Sequence, residues 1–314
     1  MSPPGNQRGV ALITALLLVA LATIVAAKLS WDNNIAMRRT ESTLMQEQAK
    51  QFALGGEAVA IYYLRQDKEL AFDNADEDWA QPTAPVEIGL GEISLGKMYG
   101  ALSDANGKLN VNNLVPDVDK VTKQQFARLF NELDIDPAII DNIIDWIDID
   151  TDPEPQGAED GIYTTLNPPY RPANTYMTSA SELLAVNGID AEIYTLLRPH
   201  VTALRPDWCG STGSGTRVNI NFASAEVLSA LSDEISLSLA QSWIEELSEG
   251  GLTSLTDLTS APEDISQYAS VSTSCFELYV TVSIGSSVMS MYSLLDRSGG
   301  SKDIVTRVRA YGLD

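Results

Sequence analysis

An acidic stretch near the middle of the chain has residue types that bind a hard cation. Four aspartates fall within eight residues, and two further acidic residues follow a glycine: the set is Asp145, Asp148, Asp150, Asp152, Glu159 and Asp160. Carboxylates this dense repel one another unless a cation or open solvent offsets their charge, and Ca²⁺ takes roughly six to eight oxygen ligands from such runs. The spacing is not that of an EF-hand. From spacing alone, a calcium loop and a solvated acidic loop remain equal alternatives.

The composition argues against most other chemistry. The 314 residues include 20 Lys plus Arg and 43 Asp plus Glu, a formal net charge of −23, and 44% are hydrophobic. This charge repels phosphate backbones, and the basic residues cluster nowhere beyond Arg38–Arg39, so nucleic acid is disfavoured as a partner. The single histidine, His200, has no serine or cysteine motif beside it. We therefore predict a protein that is not an enzyme, because a calcium-regulated hydrolase would lack a nucleophile and a base.

The N-terminal segment decides whether these residues belong to a membrane-anchored protein. Residues 10–27 are 18 consecutive uncharged positions, which as a helix would span about 27 Å, enough to cross a bilayer. A cleaved secretory signal is the alternative. However, no proline or glycine follows this segment before Gly55. We therefore predict a membrane-spanning segment that continues as an amphipathic helix to about residue 65, with Leu44, Phe52, Ile61 and Leu64 as the apolar positions of a helix that packs on a sheet.

Strand-like runs lie on both sides of a helix-rich middle section. They cover residues 86–93 and 97–103, and later 276–284, 289–295 and 304–311. Glycine–serine turns separate the last three runs, so they read as antiparallel hairpins. A long helix followed by antiparallel strands predicts the α+β class.

The middle section, residues 108–272, contains an internal repeat. Residues 108–113 are echoed by residues 217–222, and each copy continues into a pair of apolar-periodic helices with Trp146 and Trp243 in matching places. The first copy contains the extra segment, which holds the acidic run. The units resemble helix-hairpin-helix modules, which bind DNA phosphate through backbone N–H groups. A membrane-anchored DNA-binding receptor is therefore the alternative function, although both hairpins are acidic.

The N-terminus resembles the leader of type IV prepilins. Arg8 and Gly9 precede the apolar run that starts at Val10. A prepilin peptidase cuts after this glycine in that family, so the resemblance implies cleavage between Gly9 and Val10 and methylation of the new N-terminus. Most pilins and pseudopilins carry Glu at the fifth position of the mature chain, where this sequence has Thr14. Among pseudopilins, the missing carboxylate is typical of the tip subunit.

Four motifs of the middle section resemble one family of pseudopilins. They are DWID at 145–148, GAED at 157–160, NPPYRPAN at 167–174 and SEL at 181–183, and they are similar, in order, to general secretion pathway protein K of type II secretion systems. The resemblance implies a type IV pilin-like fold, in which a long N-terminal helix packs on an antiparallel sheet and a large α-helical insertion contains two helix-hairpin-helix-like repeats. The implied divisions are a leader (1–9), a transmembrane part (10–27), a helix with the first strands (28–107), the insertion (108–272) and the terminal strands (273–314).

The same resemblance implies a cofactor, partners and a location. The cofactor is Ca²⁺, held by Asp148, Asp150, Asp152, Glu159 and Asp160, with Asp145 as a further candidate. The partners are minor pseudopilins of the I and J types in a tip complex, the prepilin peptidase and the inner-membrane secretion platform. The location is the inner membrane of a Gram-negative bacterium, with one membrane pass and the soluble part in the periplasm. The implied role is to initiate the pseudopilus that supports export of folded proteins.

Cys209 and Cys275 are the only two cysteines. In an oxidising periplasm, a bridge closing a loop of about 66 residues would stabilise the fold by roughly 4 kcal/mol in the chain-entropy account. Two buried free thiols are the alternative.

Overall fold

The computed structural model describes residues 8–90, 93–114, 121–210, 215–247 and 250–312. The helices are α1 (Arg8–Gln66), α2 (Val121–Glu132), α3 (Ile139–Ile147), α4 (Asp160–Tyr163), α5 (Ala191–Leu197), α6 (Ala225–Leu231) and α7 (Leu237–Leu247). The strands are β1 (Val86–Leu90), β2 (Ile93–Asp104), β3 (Leu109–Asn110), β4 (Val201–Thr202), β5 (Val218–Asn219), β6 (Ala269–Ser270), β7 (Cys275–Ile284), β8 (Ser287–Asp296) and β9 (Val305–Tyr311). Short 3-10 helices lie at Val111–Leu114, Ala180–Ala185, Leu255–Asp257 and Ile265–Gln267.

Helix α1 is continuous over 59 residues, which confirms the predicted continuation beyond the apolar segment. By length and composition, this helix can cross a membrane: an 18-residue window has a mean hydropathy of 2.8, and none of that window is buried inside the protein. Two hydroxyl groups in the apolar part are satisfied within the helix. Thr14 Oγ1 donates to Ala11 O at 3.0 Å, and Thr23 Oγ1 donates to Val19 O at 2.7 Å. Such local bonds are what an apolar environment requires of polar side chains.

Five antiparallel strands form the main sheet in the order β1-β2-β7-β8-β9. The predicted strand over residues 86–93 is wrong in its extent, because β1 ends at Leu90 and β2 begins at Ile93. Strands β7 and β8 pair along their whole lengths around a tight turn, in which Gly285 adopts a φ of 55°. A turn residue with positive φ suits glycine, since it has no Cβ to clash.

The C-terminal half of α1 packs on this sheet through small side chains. Ala49, Ala53 and Ala60 are buried against β7 and β8, together with Leu64. At Gly56 a Cβ atom would lie 3.1 Å from Met98 Sδ and 3.2 Å from Val280 Cγ1, so the helix approaches the sheet closely there. The predicted apolar positions are correct for Leu64, which is fully buried, and for Ile61, which is partly buried. They are wrong for Leu44, which is 59% exposed, and for Phe52, which is 39% exposed. Small residues define the contact face because they permit the close approach.

The two copies of the sequence repeat have matching local structures. In the first copy β3 pairs in parallel with β4, and in the second β5 pairs in parallel with β6. In each copy, one asparagine side chain makes hydrogen bonds to both the backbone N–H and the backbone carbonyl of a single residue. Asn112 accepts from Met177 N and donates to Met177 O at 2.8 and 2.9 Å, and Asn221 accepts from Leu252 N and donates to Leu252 O at 2.8 and 3.0 Å. A serine-capped 3-10 helix follows two residues later in both copies.

The helical section has its own apolar core, which runs from Leu109 to Val271. Its junction with the sheet contains a buried ion-pair cluster, in which the Arg297 guanidinium donates to Asp67, Asp73 and the carbonyl of Thr273. The carboxylate and carbonyl of Asp73 also accept hydrogen bonds from the helical section and from the segment before β7. Side chains far apart in the chain therefore fix how the helical section meets the sheet.

Candidate metal centre

The acidic run begins at the C-terminal end of α3 and forms a loop that returns to the same place. Asp148 is the C-cap of α3, and its backbone N–H donates to Ile144 O at 2.9 Å. Asp148, Asp150 and Glu159 each offer one carboxylate oxygen, and these three oxygens lie within 4.8 Å of one another. The loop therefore gathers three of the six predicted ligands around one point.

The other three predicted ligands are placed differently. Asp145 is fully buried beside this point, and its Oδ1 accepts from the backbone N–H of Glu154 at 3.0 Å. Asp160 pairs with Arg171, with Oδ2 and Nη1 2.7 Å apart. Asp152 is exposed, and its backbone N–H donates to Asp150 Oδ1 at 3.0 Å. Metal ligation by all six residues stays a prediction.

Several carboxylate oxygens at this point are buried without a hydrogen-bond partner in the described part of the chain. They are Asp145 Oδ2, Asp148 Oδ1 and both Glu159 oxygens. A buried carboxylate oxygen without a partner is costly, because it has lost water and gained no donor. Such oxygens, converging from three residues, are the donor set that suits Ca²⁺.

Burial and mutual repulsion change the acidity of these groups. Burial raises the pKa of Asp148 to about 7, and the neighbouring carboxylates of Asp150 and Asp145 add to the effect. Burial, followed by charge repulsion, also raises the pKa of Asp145 and of Glu159. A divalent cation would oppose this change, because it favours the ionised form of each ligand. The electrostatics of the loop therefore fit a bound cation.

A close approach of the loop backbone to α3 shapes the site. A Cβ atom at Gly157 would lie only 1.9 Å from Asp145 Oδ2, so no other residue fits there without movement. Beneath the loop, the ring of Trp146 packs edge-on against Tyr163, with centroids 5.3 Å apart, and Tyr170 contacts both rings. Asn174 donates to Asp150 O through Nδ2 at 3.0 Å. The loop thus has a defined backbone path.

The remaining predicted site residues lie in the first turns of α1 and in a disulfide. Gly9 and Val10 lie in the first turns of α1, and residues 1–7 of the predicted leader lie outside the described residues. Thr14 bonds within its own helix. Cys209 and Cys275 form a disulfide with Cα atoms 5.2 Å apart, which confirms the bridge over two free thiols.

One polar pair was not apparent from the sequence. His200 Nδ1 lies 2.8 Å from Ser224 Oγ and 3.9 Å from Glu226 Oε2. Ser224 is the N-cap of α6 and accepts from Val227 N at 3.3 Å, and burial lowers the pKa of His200. In a hydrolytic triad the serine and the carboxylate meet opposite ring nitrogens. Here both face the same nitrogen, so the pair has the geometry of a helix cap.

The geometry and the comparisons give no support to the DNA-binding alternative. In the hairpin between α2 and α3, Asp134 and Asp136 are exposed, and in the hairpin between α6 and α7, Asp233 and Glu234 are exposed. A DNA phosphate would meet these like charges at both hairpins.

Comparisons with known proteins identify the family. Two family models described as type II secretion system (T2SS), protein K match residues 107–207 and 218–271. Type II secretion system protein K of Pseudomonas aeruginosa (strain PAO1) is 34% identical over 318 residues, covering 95% of this chain and 91% of the relative. The same-named protein of Pectobacterium carotovorum is 32% identical over 327 residues, covering 96% of each chain.

A solved structure has the same fold. A chain in the crystal structure of the GspK–GspI–GspJ complex from the type 2 secretion system of enterotoxigenic Escherichia coli matches with a TM-score of 0.70 at 24% identity, covering 88% of this chain and 100% of that one. Similarity to the relatives thus extends over nearly the whole length, including α1, the sheet and the acidic loop. The chain therefore belongs to the type II secretion system protein K family and is a minor pseudopilin of that system.

Proposed function

We propose that this minor pseudopilin occupies the tip of the periplasmic pseudopilus and starts its assembly. In this proposal α1 anchors the chain in the inner membrane by a single pass, and the soluble part lies in the periplasm. The prepilin peptidase cuts between Gly9 and Val10, and the secretion platform in the inner membrane receives the mature, N-methylated chain. The resulting fibre supports export of folded proteins. The protein family is structural, and we propose no enzymatic activity.

The proposed tip position rests on Thr14. Its hydroxyl makes a hydrogen bond within α1, donating to Ala11 O at 3.0 Å. A carboxylate at this position would be able to neutralise the N-terminal amine of an adjacent subunit. A neutral threonine makes no such ion pair, so this subunit lacks one attraction that would let it join the fibre below another subunit. We therefore place this subunit at the tip of the fibre, with no subunit above it.

We propose the exposed stripe of α1 as the contact surface for minor pseudopilins of the I and J types. The stripe consists of Leu44, Phe52, Val59 and Tyr63, which are between 39% and 59% exposed and adjoin the face that packs on the sheet. An apolar stripe on a helix is the usual surface for packing against another helix. The solved neighbour is part of a complex with GspI and GspJ, and this supports the choice of partner.

We also propose a finer division of the fold. Helix α1 and the five-stranded sheet form a type IV pilin-like unit, and residues 108–272 form an inserted domain made of two related repeats. The paired parallel strands and the matching roles of Asn112 and Asn221 support this interpretation. Within the first repeat, Asp148, Asp150 and Glu159 bind Ca²⁺, with Asp145, Asp152 and Asp160 as further candidate ligands.

Processing of the N-terminus tests the pseudopilin assignment of the leader. The membrane-bound protein would be purified from cells with and without the prepilin peptidase, and its intact mass and N-terminal sequence determined. We expect a chain that starts at Val10 only when the peptidase is present. An unprocessed chain, or cleavage beyond Ala27, in peptidase-containing cells would contradict the leader assignment.

Site-specific cross-linking tests the tip position. Both native cysteines are in a disulfide, so a cysteine introduced by Leu44→Cys is a unique thiol on the exposed stripe. We expect it to cross-link to I-type or J-type subunits. Ala53→Cys is the matched control, because Ala53 is fully buried on the sheet side and should not react. Cross-links between this protein and successive shaft subunits above and below it would refute the tip position.

A further inference from the structure

One basic side chain lies at the base of the acidic loop. Lys123, on α2, places its ammonium group 2.7 Å from Asp141 Oδ1 and 3.2 Å from Glu154 Oε2. Asp141 belongs to α3 and is largely buried, and Glu154 belongs to the loop. Lys123 therefore connects two helices and the loop through one positive charge.

Two carboxylates of α3 also hold the loop backbone. Asp141 Oδ2 accepts from Gln156 N at 3.2 Å, and Asp145 Oδ1 accepts from Glu154 N at 3.0 Å. These two aspartates are four residues apart and lie on the same face of α3. A turn follows, in which Gly157 N donates to Glu154 O at 2.9 Å, and the chain then reaches Glu159. The position of Glu159 beside Asp148 thus depends on where Glu154 and Gln156 are held.

We propose that Lys123 is a positioning residue for the cation site. Its ammonium fixes Asp141 and Glu154 relative to each other, and this holds the returning arm of the loop so that Glu159 stands beside Asp148 and Asp150. The inference rests on the proposed Ca²⁺ site. It adds a residue that lies 22 positions before the first acidic residue of the run and supplies no ligand atom.

The sign of the expected effect separates positioning from simple electrostatics. Lys123 is a cation near a cation site, so removing its charge would by Coulomb's law strengthen Ca²⁺ binding. Removing the contacts of Lys123 with Asp141 and Glu154 would instead weaken Ca²⁺ binding, because the loop ligands would then have to be ordered when the ion binds. Outer partners of metal ligands typically contribute about tenfold or more in affinity. A fall in affinity on removal of a positive charge therefore identifies positioning as the dominant role.

Calorimetric titration of the full-length protein in detergent micelles with CaCl₂, after chelation, provides the test. The variants are Lys123→Met, Lys123→Arg and Asp141→Asn. Lys108→Met is the matched control, because Lys108 is similarly half-buried and pairs with Glu277 at 3.0 Å outside the loop. Asp148→Asn marks the site itself. Thermal unfolding of each variant in excess chelator reports whether a change of affinity comes from loss of the fold.

We expect Lys123→Met and Asp141→Asn to lower the affinity for Ca²⁺ by about tenfold. We expect Lys123→Arg and Lys108→Met to stay within about twofold of the wild type, and all four to unfold in chelator within a few degrees of it. Unchanged or tighter Ca²⁺ binding by Lys123→Met would overturn the proposal. A loss of affinity in both Lys123→Met and Asp141→Asn that is accompanied by a large fall of the unfolding temperature in chelator would also overturn it. Absence of binding by the wild type, or full binding by Asp148→Asn, would instead reject the Ca²⁺ site on which the proposal depends.

Discussion

Replacing Asp104 by asparagine should make the protein more stable above neutral pH. Asp104 is the last residue of β2 and is 6% exposed. Its Oδ1 accepts from the backbone N–H of Asn106, whereas Oδ2 has no hydrogen-bond partner among the described residues. Burial raises the pKa of Asp104 to about 7, and the nearby carboxylates of Asp73 and Glu277 raise it further. The folded state therefore holds this proton more tightly than the unfolded chain does.

The magnitude follows from the difference between the two pKa values. The ordinary value is 3.8 and the folded value is about 7, and each pKa unit corresponds to about 1.36 kcal/mol. Between these values the folded state binds more protons than the unfolded state, so the free energy of unfolding falls as pH rises, by about 4 kcal/mol in total. Asparagine carries no charge at any pH but brings amide donors, which cost up to about 2 kcal/mol if unpaired. The net gain above pH 7 is then about 2 to 4 kcal/mol.

Denaturant unfolding of full-length wild type and Asp104→Asn, in detergent micelles at constant Ca²⁺ from pH 4.5 to 8.5, measures this gain. We expect the two proteins to have similar stability near pH 4.5, to separate as pH rises from there to about 7, and to keep a constant difference above that pH. Asp257→Asn, at an exposed position, is the control and should show no such divergence. A variant that is less stable than wild type at pH 8, or a difference that is independent of pH, would refute the reasoning.

Three further predictions concern the junction, the loop and the disulfide. Arg297→Met should lower the free energy of unfolding by about 3–5 kcal/mol, because it leaves two buried carboxylates without their cation; denaturant unfolding checks this, and a loss below 1 kcal/mol would contradict it. Gly157→Ala should weaken Ca²⁺ binding in calorimetric titration, because its Cβ would overlap a carboxylate, whereas Gly161→Ala, with nothing within 4 Å, should not; equal affinities would contradict it. Cys209→Ala with Cys275→Ala should lower the free energy of unfolding by about 4 kcal/mol, by loss of a 66-residue loop closure; an unchanged unfolding curve would contradict it.

The long helix and most strands of the main sheet could be predicted, but the contact face of α1 could be predicted only in part. An uninterrupted apolar and then amphipathic segment was sufficient to predict a helix to about residue 65. Of the large apolar residues, Ile61 and Leu64 lie on the buried face but Leu44 and Phe52 do not, and hydrophobic patterns give most weight to such large side chains. The actual contact uses alanines and Gly56, where Met98 and Val280 approach closely. Only the tertiary distance between helix and sheet reveals that small residues are required.

The acidic loop was predictable as a cluster, whereas its supports were not. The density of aspartates predicts carboxylates close enough to repel one another, and the structure brings Asp148, Asp150 and Glu159 together. Asp160 pairs instead with Arg171, an exposed contact that spacing does not indicate. Lys123 lies 31 residues from the loop carboxylate that it contacts. Contacts at this separation depend on how α2 and α3 pack, and no local pattern encodes that packing.

The two copies of the sequence repeat differ in the length of chain that lies between matching asparagine contacts. In the second copy, Leu252 lies five positions after the end of α7, whereas in the first copy Met177 lies 30 positions after the end of α3. Asn112 holds Met177 and Asn221 holds Leu252 by the same pair of hydrogen bonds. The additional residues of the first copy must therefore form a loop that starts at the end of α3 and returns to Met177. Most of this segment is exposed; before Met177 its buried apolar residues are Ala158 and Tyr163, which join the apolar core, and Pro172. Apolar burial this small offsets only part of the entropy lost in ordering so long a segment. At the proposed site, Ca²⁺ held by the converging carboxylates would supply further free energy, and the ion would then act as the core of the loop.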